Sequence, residues 1–450
     1  MNIFMYLMVI MSIIVTQVYA EKELSCEGMK GKLLIQCEKA IKGNLEDMYR
    51  LGGMYYIGEE QPGNKPNAKE AFKWYKKAAE GGYVEAMNNL GVMYQFGQGQ
   101  PGNKPNYKEA FKWHKKAAEG GNVGAMYNLG AQYGSGLAQP GNKPNYKEAL
   151  KWYKKAADAG VAIAMFQLGG MYQSGEGQPG SKANYKEALK WYKKAAYRRD
   201  ARAMNDLGMM YQLGEGQPGN KPNYKEALKW YKKAADGGRA MAMLNLGRMY
   251  HSGQGQPGNK PNYKEALKWY KKAAEGRGVE AMFYLADMYY YGEGLPGNKP
   301  HYKEAFKWYK KAAESGRVEA MSNLGVMYYT GEGQPENKPN YKEAIKWVKK
   351  AVEGGNVEAM FVLGGMYYNG EGQPNYGKAI KWWKKAADAG NVLAMYNLGV
   401  MYYNGEGQPG NKPDYQEALK WYKMAAAAGD ERAKKSILKI QKLIQQDKES

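Results

Sequence analysis

"GEGQPGNKPNYKEALKWYKKAA", residues 214–235, places Gly214, Gly216 and Gly219 in a G-x-G-x-x-G spacing just before a run of helical character. Such a loop cradles a phosphate when a strand precedes the glycines, a helix follows them, and free backbone N–H groups lie between. Only the helix is present. In the preceding segment, ARAMNDLGMMYQL, Ala203, Leu207, Met210 and Tyr211 fall at i, i+4, i+7 and i+8, the period of an amphipathic helix. Pro218 has no N–H to offer. The motif also occurs six times, at 97–102, 175–180, 214–219, 253–258, 292–297 and 405–410. A dinucleotide fold does not repeat it so, and the glycines are read as turns between helices.

The wider chain has a period. Trp74, Trp113, Trp152, Trp191, Trp230, Trp269, Trp308 and Trp347 are 39 residues apart, Trp382 follows after 35, and Trp421 after 39 more. That makes ten units. The short step is GEGQPNYGKAIKWW, 370–383, which lacks the GNKP of its sisters; GNKP is therefore loop. Each unit reads helix, turn, helix. Helix A of unit two, VEAMNNLGVMYQFG (84–97), puts Ala86, Leu90, Met93 and Tyr94 on one apolar face, and Gly91 leaves room for a close crossing. Helix B, NYKEAFKWHKKAAEGG (106–121), opens with Asn106 as N-cap and Glu109 at capping-box spacing. Tyr107, Ala110, Phe111, His114, Ala117 and Ala118 line one side, and Gly120 and Gly121 stop the helix. Ten such pairs stack into an all-α, α/α solenoid whose core is one long seam.

The repeated A…LG..Y..G, loop, Y.EA..WY.KAA..G resembles the Sel-one-like repeat family, relatives of the tetratricopeptide solenoids. Unit four, AMFQLGGMYQSGEGQPGSKANYKEALKWYKKAA (164–196), shows the pattern whole, and it covers residues 44–429. Ala286 replaces the glycine after leucine in unit seven, and Val348 the tyrosine after tryptophan in unit eight. The resemblance implies a right-handed superhelical solenoid with N- and C-terminal caps, whose helix A lines a concave, protein- or peptide-binding surface. Cysteine-rich members of the family carry a disulfide in each repeat; this chain has only Cys26 and Cys37.

Residues 1–20, MNIFMYLMVIMSIIVTQVYA, read as a secretory signal: an apolar run over 3–15, then Val18-Tyr19-Ala20 as a small-residue cleavage site. The run is short for a membrane span, and no other segment is long and apolar enough for one. The expected location is secreted or periplasmic. Residues 21–43 form an N-terminal cap holding both cysteines. An oxidising compartment permits a Cys26–Cys37 bridge. Eleven residues of straight helix span ~16 Å, beyond the ~7 Å Cα reach of a disulfide, so a bridge needs a bend, which Gly28 and Gly31 supply; the alternative is two reduced, buried thiols. Residues 430–450 form a C-terminal capping helix, with Ala433, Ile437, Ile440 and Ile444 toward the stack and Lys434, Lys435, Lys442 and Gln445 toward water.

The net charge is +22. On helix B of unit two, Lys108, Lys112, Lys115 and Lys116 fall within a ~100° arc opposite the apolar side, and the same four lysines recur in units one to eight. Stacked, they make a basic ridge. It either attracts a polyanionic surface or is a solvated face that keeps a tyrosine-rich stack in solution. Export, and lysine's lack of arginine's bidentate fork, argue against nucleic acid.

Units differ most at two registers of helix A. Five after each leucine stand Tyr56, Gln95, Gly134, Gln173, Gln212, His251, Tyr290, Tyr329, Tyr368 and Tyr403; two before it stand, in the later units, Phe283, Ser322, Phe361 and Tyr396. The two registers are seven apart and share a face. Phe283, Tyr290, Tyr329, Phe361, Tyr368, Tyr396 and Tyr403 are the candidate partner-binding residues, since aromatic rings bring large contact area with few rotors; packing between neighbouring helices is the competing reading. No cofactor or metal site is expected: His114, His251 and His301 occupy three different registers. Ser436-Ile-Leu-Lys439 matches the S-x-x-K of penicillin-interacting enzymes, which some members of the family resemble, but without K-T-G or S-D-N partners. The expected function is an exported, non-enzymatic scaffold for a protein or peptide; a polyanion or envelope-surface binder is the alternative, and a hydrolase of β-lactamase type the third.

Overall fold

A computed structural model describes Cys26 and residues 28–59, 64–137, 140–370 and 374–449. The expected signal and its cleavage site lie outside them. Among the described residues are twenty-two α-helices and no strand. The chain forms two compact bodies, Met1–Asn223 and Tyr224–Ser450. Each is an all-α stack in which helix A packs on helix B of its unit, and helix B on helix A of the next.

Helix B forms where the sequence caps it. In unit two it runs Tyr107–Glu119, and the Asn106 side chain accepts the Glu109 N–H at 3.1 Å. In unit seven His301 takes the cap position, with Nδ1 accepting the Glu304 N–H at 3.3 Å. The buried stripe of helix B in unit two is Ala110, Trp113, His114, Ala117 and Ala118. Two expectations are corrected here. Tyr107 is 38% exposed, and Trp113 takes its place in the core. On helix A, Ala86, Leu90 and Met93 are buried while Tyr94 is only half-buried, its ring edge-on to Phe72 of the preceding unit at 5.1 Å. The glycine after leucine sets the A–B spacing: a Cβ on Gly169 would lie 2.5 Å from the Tyr192 ring.

The loop glycines have a structural job. Gly214 ends helix A of unit five in the left-handed region, φ 81°, and a Cβ there would meet the Asn220 carbonyl at 2.4 Å. A Cβ on Gly216 would meet the Tyr185 carbonyl, in helix B of the preceding unit, at 2.6 Å. The first glycine thus folds the loop onto its own unit and the second seats it on its neighbour. The N–H groups of Glu215, Gln217 and Asn220 are bonded to Met210, Gly214 and Gln217 carbonyls, so these three are spent on the turn and not turned to a phosphate.

Loop closure does not need GNKP. Asn223 N–H reaches the Tyr211 carbonyl at 2.7 Å with the segment present; in unit nine Asn375 N–H reaches Tyr367 at 2.8 Å without it. Deleting residues 219–222 is therefore expected to change stability by less than ~1 kcal/mol, read as the midpoint of a urea melt. A large loss would mean that the segment packs on a neighbour.

At the start, Cys26 and Cys37 are joined by a disulfide with a Cα separation of 5.8 Å. Gly28 and Gly31, at φ 82° and 60°, bend the chain before the helix Gly31–Ala40. At the end, helix Glu431–Glu449 buries Ala433 and Ile440 fully and packs Ile437 and Ile444 against the last unit. Asp430 caps it, accepting the N–H groups of Arg432 and Ala433.

Candidate functional site

The seven candidate residues all lie half-buried on helix A of units seven to ten. The tyrosines five after leucine meet the first tyrosine of helix B in their own unit edge-on or tilted: Tyr290 with Tyr302, Tyr329 with Tyr341, Tyr368 with Tyr376 and Tyr403 with Tyr415, with centroids 5.2–5.7 Å apart. Their hydroxyls reach forward. Tyr290 donates to Glu332 and Tyr368 to Glu406, each at 3.2 Å and each in the loop of the next unit. His251 contacts Glu293 at 2.8 Å and Gln173 donates to Glu215 at 2.9 Å in the same way. Burial, then the Glu332 charge, pushes the Tyr290 hydroxyl up to about 12. Tyr290 and Tyr368 therefore strap their units to the next loop, and part of each ring stays exposed. Tyr290→Phe with Tyr368→Phe is expected to cost about 1–3 kcal/mol in a urea melt. An unchanged midpoint would assign the hydroxyls to a partner instead of to the stack.

The aromatics two before leucine pack on the helix-B ring of their own unit: Phe283 on Tyr309, Phe361 on Trp383 and Tyr396 on Tyr422. An arginine at or near the start of the following helix covers Phe166, Phe283 and Tyr396: Arg202 at 4.7 Å, Arg317, an N-cap, at 5.4 Å and Arg432 of the terminal helix at 4.2 Å. Phe361 has no such cover, because Leu393 stands at the register of Arg202 and Arg432.

Beside Phe361 a cavity of about 250 Å³ opens between helix A of units nine and ten, walled by Phe361, Tyr368, Trp383, Asn397 and Val400. Its floor is Gly365, where a Cβ would meet nothing within 4 Å. Trp383 stands where seven other units carry tyrosine; its indole N–H donates to the Phe361 carbonyl at 2.9 Å. The same place between units one and two, at Tyr56, Tyr75, Asn89 and Val92, holds only about 100 Å³. Phe361 and Tyr368 stand out in the sequence; Trp383, Gly365 and Asn397 do not, although Trp383 departs from its column and Asn397 is placed opposite it.

Two charged residues break the small or apolar column two after leucine: Arg248 and Asp287. Arg248 pairs with Glu280 and donates to the Tyr284 hydroxyl. Asp287 accepts from the Tyr309 hydroxyl, and burial pushes its carboxyl up to about 6. The lysine ridge is partly engaged: Lys112 pairs with Glu109 at 3.4 Å and Lys116 lies 4.8 Å over the Trp113 ring. No cluster of metal-binding side chains is found among the described residues, and no helix there is long and apolar enough to cross a membrane. The Ser436 hydroxyl donates to the Arg432 carbonyl at 3.2 Å. Lys439 sits 4.9 Å over Tyr403, and contact with that hydroxyl raises its pKa, the opposite of what a lysine base requires.

The Sel1 repeat model matches ten consecutive segments, 45–83, 84–122, 123–161, 162–200, 201–238, 240–277, 279–316, 318–356, 357–391 and 392–430. Among solved structures, the chain is similar to c5321, a protective antigen present in uropathogenic Escherichia coli strains displaying an SLR fold: 31% identity, 91% of this chain and 82% of that one, TM-score 0.75. A Sel1 repeat protein from Oxalobacter formigenes shares 33% identity over 54% of this chain and 91% of that one, TM-score 0.45. No curated protein matches the chain significantly.

Proposed function

Because the chain belongs to the Sel1 repeat family, whose helical solenoids mediate protein–protein interaction, we propose that it is an exported, non-catalytic scaffold holding a protein or peptide partner along its helix-A surface. One observation carries this. The units are near-copies in their cores, yet at the exposed registers of helix A they differ, and those positions gather half-buried aromatics in units seven to ten. Such rings leave flat, partly desolvated surface that a partner covers at small entropic cost. Export rests on residues 1–20 and is supported by the similar c5321, described as a protective antigen, which an immune system meets outside the cell.

The lysine ridge favours a second reading, contact with an anionic envelope surface. Salt separates the two: a lysine-mediated complex weakens steeply as ionic strength rises, and an aromatic-surface complex does not. The direct test is crosslinking of the exported chain in its native envelope followed by mass spectrometry. Crosslinks from a protein to helix A of units seven to ten support the proposal; crosslinks confined to helix-B lysines overturn it. The same material tests export. Intact mass under non-reducing alkylation is expected to start at Glu21 with no alkylated thiol; a retained Met1 would remove the export argument.

A further inference from the structure

Asn397 lies fourteen residues after Trp383, in the next unit. The residue at this spacing meets the helix-B ring in several units. Asn89 hydrogen-bonds the Tyr75 hydroxyl, Asn323 the Tyr309 hydroxyl, and Asn128 lies 3.4 Å from Nε2 of His114. Where the ring is replaced by Val348 the partner is Val362, so polar meets polar and apolar meets apolar. Ser436 keeps the rule for Tyr422 in the last helix. Trp383 breaks it. The indole has no hydroxyl, and its one donor is spent on the Phe361 carbonyl. Asn397 then lines the cavity of about 250 Å³ with its carboxamide unpaired among the described residues.

Three features meet at this point: tryptophan at 383 where seven units carry tyrosine, a leucine at 393 that leaves Phe361 without the arginine cover of Phe166 and Tyr396, and glycine at 365, as in units one and four, where units two, eight and ten carry valine. Each one opens space or frees a polar group. The result is a mainly apolar hollow with two asparagine amides at its wall, the exposed Asn369 at its mouth and the half-buried Asn397 further in. We infer that this hollow is the anchor pocket of the helix-A surface, taking one leucine-, methionine- or phenylalanine-sized side chain of a bound peptide, with Asn397 pairing to that residue's backbone amide. The inference rests on the proposed partner-binding role of helix A and names the subsite within it.

The chemistry selects this occupant. A carboxamide offers N–H and C=O together, the complement of a peptide group. The volume lies below the ~300–1,000 Å³ of sites that enclose a whole small ligand, and suits a single side chain. A cation is a poorer fit, because no carboxylate is among the residues that line the hollow.

Saturation-transfer NMR on the intact protein with N-acetyl-L-leucinamide as probe tests the pocket, with N-acetyl-L-lysinamide and N-acetylglucosamine as comparisons. Binding of the leucine probe is expected, weakened roughly tenfold or more by Gly365→Val, which installs the valine of three sister units. Trp383→Tyr, which restores the sister ring and reoccupies Asn397, is expected to weaken it too. A circular dichroism melt checks that each variant folds, and Gly365→Ala serves if valine does not. Equal binding to wild type and the Gly365 variant, or tighter binding of the lysine or sugar probe, overturns the inference. Absence of leucinamide binding while a crosslinked partner is still found on helix A also overturns the pocket, and leaves the broader reading standing. Crosslinks away from helix A with leucinamide binding intact overturn the broader reading alone.

Discussion

Trp308→Ala is expected to cost about 3–5 kcal/mol, the usual penalty for emptying a large aromatic site in a core. Trp308 is 7% exposed and belongs to the buried cluster with Ala281, Met282 and Leu285 of the same unit and Ala320 of the next. Its outer edge is covered by Lys311, 4.3 Å from the ring centroid. No sister unit can relax into the hole, because each unit touches mainly its neighbours. The loss is therefore expected to be local: hydrogen exchange should quicken first over Tyr302–Glu314 and Val318–Thr330, while units one to three keep their protection. Uniform loss along the whole chain would sink the nearest-neighbour account and show one cooperative unit.

His114 is expected to make the protein acid-sensitive. It is fully buried, 0% exposed, at the position of the helix-B tyrosine. Burial pushes its imidazole down from the ordinary 6.5 to about 4, only partly offset by hydrogen bonds involving Gln132 and Asn88. Below pH 6.5 the unfolded chain therefore takes up a proton that the folded chain refuses. Stability falls as pH drops from 6.5 to about 4 and levels off beneath. The full effect is about 3 kcal/mol, of which about 2 kcal/mol is lost by pH 5. His114→Tyr restores the residue of seven sister units, with Asn128 placed to bond the new hydroxyl as Asn323 bonds Tyr309. Urea midpoints at pH 7 and pH 5 provide the check. The variant should hold its stability across that interval where the wild type does not. An equal drop in both would place the acid sensitivity elsewhere.

The units, their helices and their loops are legible in the sequence because one burial pattern is written ten times. Trp, Ala and Leu in fixed register reveal the core before any coordinate does. Faces of helix A are harder to read. In VEAMNNLGVMYQF the apolar residues run nearly all round, so periodicity does not choose between Tyr94, half-buried, and the residues beneath it. Tyr289 and Tyr328, which the same pattern assigns to the core, are half-buried as well. Of the cavity, Phe361 and Tyr368 are visible as variable aromatics. Asn397 is not, because asparagine is the common residue in its column; only its pairing with a residue of the previous unit makes it unusual. Column-by-column reading finds substitutions, and it misses mismatched pairs that the fold brings together across a boundary.

The loop's second glycine, seated on the tyrosine carbonyl of the unit before it, recurs at Gly177, Gly216, Gly294 and Gly333. Every such joint has the same two halves, so any unit offers its successor what its predecessor offered it. A gene carrying these near-identical segments can gain or lose one by misaligned recombination, and the chain that results meets itself with matching joints. Length is then a heritable variable that adds or removes one unit and one joint at a time, provided the first and last helices stay at the ends. What does not transfer is a feature that belongs to one joint alone: excising unit nine or ten would remove the hollow at Gly365 in a single genetic step and leave a chain that still folds.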